Sequence, residues 1–341
     1  MHYKKSESKK DFYLDKTEVA QGIVAPQDYV NGNSQAILGN KYKIGDGIFN
    51  LSSSEYANLN LTESERKLVK PFYTPQELVK YYGTPLIKYW IIYTDSKYKN
   101  INEIEPFINI KNHLDKFVKV ITSDNKPYGL HRAREERFFK GKKILSIRKA
   151  IEPTFTYVEF DSYVSQSYYL IQTNKIDLKT LVVILNSKLI KFWLKYKGKM
   201  QGDIFQIDKE PILNIPVKKP NHEDTFIKKA DTMLIKTKEL LDQSQKFQKT
   251  LQRKLTLESV SKKIVEWYLI SYADFIKELT KLKIKLTVRE EAEWEEYFNA
   301  ERKKALNILA EIDKTDREID QMVYKLYELT EEEIRIVESS N

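Results

Sequence analysis

Apolar and polar positions follow two different periods along this chain, and the change falls near Pro220. Before it, short apolar pieces are separated by turn residues. "LGNKYKIGDGIFNLSSSEY" sets Gly39, Gly45 and Gly47 between such pieces, the punctuation of strands and tight turns. Thr62 with Glu65, and Thr74 with Glu77 across Pro75, have capping-box spacing, so each predicts a helix start. "KYWIIYTD" at 88–95 is aromatic and β-branched and predicts a buried strand. A short helix over Leu114, Phe117 and Val118 follows an extended piece around Pro106. "FTYVEFDSYVSQSYYLIQT" at 155–173 alternates roughly and predicts two strands. Residues 177–198 put Leu181, Ile184, Leu185, Leu189 and Phe192 on one face, which predicts a single helix stopped at Gly198. Residues 199–220 read as extended, with prolines at the end.

Beyond Pro220 the spacing alternates between four and three. One series is Phe226, Ala230, Met233, Thr237, Leu240, Ser244, Phe247 and Leu251. A second is Trp294, Phe298, Glu301, Ala305, Ile308, Ile312, Thr315, Ile319, Met322 and Leu326, opened by a Thr287–Glu290 capping box. Between them, 259–279 predicts a third helix. Thr237, Ser244, Glu301 and Thr315 are polar members of the seams and mark where another surface packs. The expected fold class is α+β: a globular mixed α/β domain followed by an elongated helical bundle with an antiparallel, coiled-coil-like pair. The expected divisions are 1–78, 79–220 and 221–341.

Charge sharpens this picture. The 341 residues are 41% hydrophobic and 31% charged, with a net charge of +9. Residues 286–341 hold 8 Lys/Arg and 16 Asp/Glu, a net −8, which leaves +17 for the rest. A basic body suits a polyanionic partner. Cysteine is absent, which excludes disulfides, thiolate metal sites and cysteine nucleophiles. His2, His113, His131 and His222 are scattered, without metal-ligand spacing. No run of signal-peptide or membrane-span character occurs, so the expected location is the cytoplasm, with no membrane partner.

Enzyme signatures are also missing. There is no GxxxxGK[ST], "GDGIFN" stops short of G-x-G-x-x-G, and no Pro-Pro pair could form the base-gripping loop of an amino-methyltransferase. No catalytic residue, metal or cofactor is therefore expected in this chain. The strongest chemical signal lies at 119–149, with ten Lys/Arg against three Asp/Glu. Arginine makes paired hydrogen bonds to guanine edges and phosphates, whereas lysine supplies point charge. Arg132 and Arg134 sit at the tip of a loop bounded by Gly129 and Gly141, where a side chain can enter a groove. Arg137, Lys140, Lys142 and Lys143 are further groove or phosphate contacts, with Lys142 and Lys143 assigned to phosphates. Arg148 and Lys149, at the end of a predicted strand, are phosphate anchors. Phe138 and Phe139 belong in a core. A second polar segment, 195–211, offers Lys199, Gln201 and Gln206, since glutamine can pair bidentately with adenine.

These same residues carry a family likeness. "PYGLHRAREERFFKGKKILSIRKAIEPTFTYV", then "LVVILNSKLIKFWLKYKGKMQG" and "FQIDKEPILNIPV", resemble the TaqI-like C-terminal specificity region. That region is the target recognition domain of type IIG restriction–modification enzymes and adenine-specific DNA methyltransferases. "AEWEEYF" and "DREIDQMVYKLYELTEEEIRIVE" resemble the helical end of the same enzymes. "EVAQGIVAPQDYV" and "GDGIFNLSSSEY" resemble the segment that follows their methyltransferase domain. The resemblance implies a sequence-specific double-stranded DNA recognition module at 79–220 and a helical spacer and docking part at 221–341. It implies a methyltransferase, and in some systems a nuclease, as partner. S-adenosylmethionine, and Mg for a nuclease, would belong to that partner. Two rival readings are a catalytically active methyltransferase or nuclease fragment, and a helical scaffold that binds only protein.

Overall fold

The computed structural model describes residues 4–257 and 260–340. It is α+β and divides into two compact units, Met1–Glu223 with Tyr324–Asn341, and Asp224–Val323.

The strands of the first unit are β1 (Val19–Gln21), β2 (Asn50–Ser52), β3 (Val69–Tyr73), β4 (Tyr81–Tyr82), β5 (Tyr89–Ile92), β6 (Lys143–Ile147), β7 (Lys149–Ala150), β8 (Phe155–Val158), β9 (Tyr163–Val164), β10 (Tyr168–Ile171), β11 (Lys199–Gln201) and β12 (Ile204–Gln206). They form sheets of order β1-β10-β6-β8-β4, β2-β5-β3-β9 and β11-β12-β7. Pairing is antiparallel except for β4 with β8 and β3 with β9. The centre of the first sheet is buried on both faces, with Ile144, Leu145, Phe155, Tyr157, Leu170 and Ile171 in the core. Phe138 and Phe139 are also buried, and Phe139 stacks on Tyr163 with centroids 4.9 Å apart.

Several elements differ from the sequence expectation for local reasons. Residues 155–173 form three strands. The chain turns at Asp161, whose carboxylate accepts from Gly141 N at 3.0 Å, and β9 then pairs with β3. The helix expected over 177–198 is two, Leu178–Leu185 and Lys188–Lys197. Asn186 interrupts it by satisfying Phe155 in β8: its Oδ1 accepts from Phe155 N at 3.1 Å and its Nδ2 donates to Phe155 O at 2.8 Å. Ser187 then caps the second helix, which stops at Gly198. Glu77 accepts from Thr74 N and Oγ1 at 3.0 and 2.6 Å, yet these bonds close only a turn. There Tyr81 takes φ +70°, and Gly83 lies so close to Val158 that a Cβ would sit 2.6 Å from its Cγ1. The extended reading of 199–220 misses the short helix Lys209–Leu213. Residues 199–206 are a hairpin, with Gly202 at φ +60° in its two-residue turn.

Tyr324–Asn341 returns to the first unit. The buried Tyr327 donates its hydroxyl hydrogen to Pro216 O at 2.7 Å and accepts from Lys218 N at 3.0 Å.

The second unit is built on the helices Asp224–Leu255 and Val288–Leu326. Their polar contacts, Lys229–Glu318, Lys236–Glu311 and Gln243–Glu301, step in opposite directions along the chain, so the helices run antiparallel. Phe226, Ala230, Met233, Phe247 and Leu251 are buried on one helix, and Phe298, Ala305, Thr315 and Ile319 on the other. Instead of one helix over 259–279, Lys262–Val265 and Tyr272–Lys281 flank a 3-10 turn, because Ser271 caps a new start; Ser259 lies outside the described residues. This segment supplies Trp267 and Phe275. Phe247 stacks on Trp267 with centroids 3.8 Å apart, while Phe275 stacks on Phe298 at 4.9 Å. Seam polarity is used locally: Ser244 Oγ donates to Val265 O at 2.9 Å, and Glu301 accepts from Gln243 at 2.6 Å.

Candidate nucleic-acid interface

The basic stretch is clamped to the fold rather than hanging as a free loop. Arg132 and Val24 exchange both backbone hydrogen bonds at 3.0 Å, and the Tyr93 hydroxyl donates toward Ala133 O and Arg134 O at 3.2 and 3.1 Å. This fixes where each cation points.

Arg132 is exposed and its side chain has no polar partner among the described residues. Arg134 is different. It is half-buried, takes φ +71°, and donates from Nε to Gly22 O at 3.2 Å and from Nη2 to Gln21 Oε1 at 2.8 Å. Burial, with Arg132 nearby, lowers its pKa from the ordinary value. These two bonds tie the stretch to β1, a role the sequence did not suggest for a residue expected to enter a groove.

Lys143 also departs from the expectation. It is fully buried, and its ammonium donates to Gly141 O, Phe160 O and Ser162 Oγ at 2.7, 2.8 and 3.1 Å. As the first residue of β6 it points inward, so it cannot reach a phosphate. Burial pulls its pKa down to about 7, with Asp161 opposing and Lys140 assisting.

Arg137, Lys140 and Lys142 stay at the surface with local carboxylates. Arg137 donates to Glu135 at 2.9 Å and lies 4.0 Å over the Phe138 ring. Lys140 binds Asp161 at 2.8 Å, and Lys142 lies 3.7 Å from Glu159. Arg137 and Lys142 share a cleft of about 1000 Å³ with Glu18, Gln172, Lys175 and Lys219.

The end of the stretch meets the second polar segment. The β7–β12–β11 sheet sets Gln206 opposite Lys149 on one side and Lys199 on the other. Directly opposite residues share a face, so Lys149, Gln206 and Lys199 form one cross-strand row. Lys149 Nζ also reaches Gln201 Oε1 at 3.2 Å. Asp208 organises the neighbourhood by accepting from Arg148 Nε and Gln206 Nε2, both at 2.6 Å. Burial alone would raise the Asp208 pKa, but the bonds from Arg148 and Gln206 outweigh it and hold the carboxyl below its ordinary value. Tyr169 lies within electrostatic reach of Arg148, Asp208 and Arg134; burial raises its phenol pKa, and Asp208 adds to the rise. Arg148 is joined to the row through Asp208, which it shares with Gln206.

Sequence reasoning missed Asp208 and Tyr169, and also Lys209, whose ammonium donates to Lys16 O at 2.9 Å. Composition carried no signal for Asp208, because Asp203 and Glu210 lie in the same segment. Among the described residues, no group of three His, Asp or Glu side chains could hold a metal ion, and no helix is long and apolar enough to cross a membrane.

Comparison with known proteins finds a family likeness across these residues. Residues 71–217 match the model described as the TaqI-like C-terminal specificity domain, and residues 219–323 match a domain of unknown function, DUF8810. No curated protein matches the chain. A solved structure of the type IIL restriction-modification enzyme MmeI in complex with DNA is similar, with a TM-score of 0.50 and 12% identity. The match covers 97% of this chain and 37% of that one, and at this identity the likeness concerns the fold. Over residues 71–217, then, the chain is similar to the TaqI-like C-terminal specificity domain family.

Proposed function

We propose that this chain is the sequence-specific double-stranded DNA recognition module of a restriction–modification system. It directs adenine-specific methylation, and cleavage where a nuclease is attached, by a methyltransferase domain or subunit that carries S-adenosylmethionine. The chain alone transfers no methyl group. Residues 79–220 recognise the target, residues 1–78 adjoin the methyltransferase, and residues 221–341 act as spacer and docking part.

The observation that carries this reading is the convergence of two segments distant in sequence. Lys149 from the basic stretch and Lys199 from the second segment flank Gln206, within the residues that match a specificity domain. Lysines at the ends of such a row suit phosphates, and an amide between them suits a base edge. The fold likeness to an enzyme solved with DNA supports the same reading. Arg132, Arg148, Lys149 and Lys199 are the phosphate-facing cations, with Gln201 and Gln206 at the bases. Arg137, Lys140 and Lys142 are outer contacts.

Duplex affinity measured against salt tests this. Four phosphate contacts at ~0.9 each give a log–log slope of about −3.5. A flat salt response would remove DNA from the reading.

A further inference from the structure

The outward face of the small sheet exposes two isoleucines. Ile151 is 70% exposed and Ile204 39%. The β7–β12 register pairs Gln206 with Lys149 and Phe205 with Ala150, and Ile151 follows directly after the last paired residue of β7. On the other side Ile204 pairs with Gln201. Side chains alternate between faces along a strand. One face therefore carries the row Lys199–Gln206–Lys149 and, beside it, the pair Gln201–Ile204, with the exposed Ile151 next along the chain from β7. The opposite face carries Met200, Phe205 and Ala150, with Phe205 buried. The bond from Lys149 Nζ to Gln201 Oε1, at 3.2 Å, runs across the first face and agrees with this assignment.

Lysines and glutamines on such a face need only a polyanion with polar edges. The isoleucines ask for something apolar within it. In the DNA major groove each base pair presents donors and acceptors, and the thymine C5-methyl is the apolar feature that accompanies adenine's N6–H₂ and N7. The major groove also admits a β-ribbon. Gln206 already donates from Nε2 to Asp208, whereas the Nε2 of the exposed Gln201 has no partner among the described residues.

Resting on the reading that this chain binds duplex DNA, we propose that this face reads an A·T pair in the major groove. The Gln201 amide accepts from adenine N6 and donates to N7, and Ile204 with Ile151 covers the methyl of the paired thymine. Lys149 and Lys199, one row away, hold the backbone on either side.

The test uses the full chain and a randomised duplex library. The sequence selected by wild type is remade with each thymine replaced in turn by uracil, which removes only the methyl. One replacement should weaken wild-type binding about fourfold, the worth of one buried methyl-sized group. The same replacement should change nothing for Ile204→Ala combined with Ile151→Ala, and Gln201→Ala should relax base choice at that same pair. Both isoleucines are exposed, so unchanged melting and unchanged affinity for unselected duplex serve as controls for folding. Uracil replacements that are all silent, or a loss that persists in the isoleucine variant, would overturn the proposal while leaving DNA recognition standing. A library from which no sequence is selected would overturn both.

Discussion

Replacing Lys143 with methionine should abolish a specific rise of stability with pH. In the unfolded chain the amine keeps its ordinary pKa of 10.5, and in the fold it titrates near pH 7 because it is buried. Below pH 7 both states hold the proton, so the folded protein carries a buried charge and its stability is lowest there. Between pH 7 and 10.5 the unfolded chain holds a proton that the folded chain has released, so stability climbs as pH rises. A full proton difference contributes about 1.4 kcal/mol per pH unit. From pH 7 to 9 the gain is about 2 kcal/mol, allowing for partial titration near pH 7. The neutral amine still donates to the carbonyls of Gly141 and Phe160, which makes its burial tolerable. Urea denaturation of wild type and Lys143→Met at both pH values isolates the effect as a difference of differences, since other groups titrate alike in the two proteins. Parallel pH profiles would refute the reasoning. The same variant should leave the salt slope of duplex binding unchanged, because the ammonium never reaches solvent.

Of three further perturbations, two separate a structural tie from a DNA contact, and the third tests the helical core. Arg134→Ala removes the bonds to Gly22 and Gln21 and should cost about 1–2 kcal/mol of stability, read in thermal melts. Arg132→Ala should leave melting unchanged and reduce the salt slope of duplex binding by about one; the opposite assignment of the two effects would reverse their roles. Phe247→Ala should destabilise the helical unit by about 3–5 kcal/mol, measured by denaturant unfolding, because the ring lies between Trp267 and Tyr297. A loss below 1 kcal/mol would mean that this stack is not the unit's core.

What was legible in the sequence was whatever repeats. The four–three spacing marked Phe247 on one long helix, and Phe298, Ala305 and Ile319 on the other, as covered positions, because a long run averages over its polar exceptions. The strand over 88–95 was legible for a similar reason: its β-branched and aromatic run left no competing pattern. Single residues that satisfy distant backbone were not. Asn186 looks like one polar position on an apolar helix, and only the nearness of Phe155 makes it a break. Lys143 and Lys142 are the same residue type side by side. Which one faces inward depends on the register of β6 against β8, which composition does not encode. Within the candidate site, the basic residues were legible as a group, but their division was not. Arg134 is consumed by a strand more than a hundred residues earlier, and Lys149 meets Gln206 only through a sheet pairing. The extended reading of 199–220 did not mark the hairpin at 199–206, although a glycine such as Gly202 is what a two-residue hairpin turn demands.

The stitch at Tyr327 has a consequence for how such a protein can change. The chain leaves the first unit after Glu223 and rejoins it at Tyr324, and a few residues on either side the two passes are pinned by Pro216, Lys218 and the Tyr327 hydroxyl. The helical unit is thus an excursion with both feet anchored in the same place. Adding or removing residues in its long helices leaves both partners of the Tyr327 bonds in the chain, so the closure there does not depend on the length between them. Length becomes a property that can drift or be engineered while that closure stays intact.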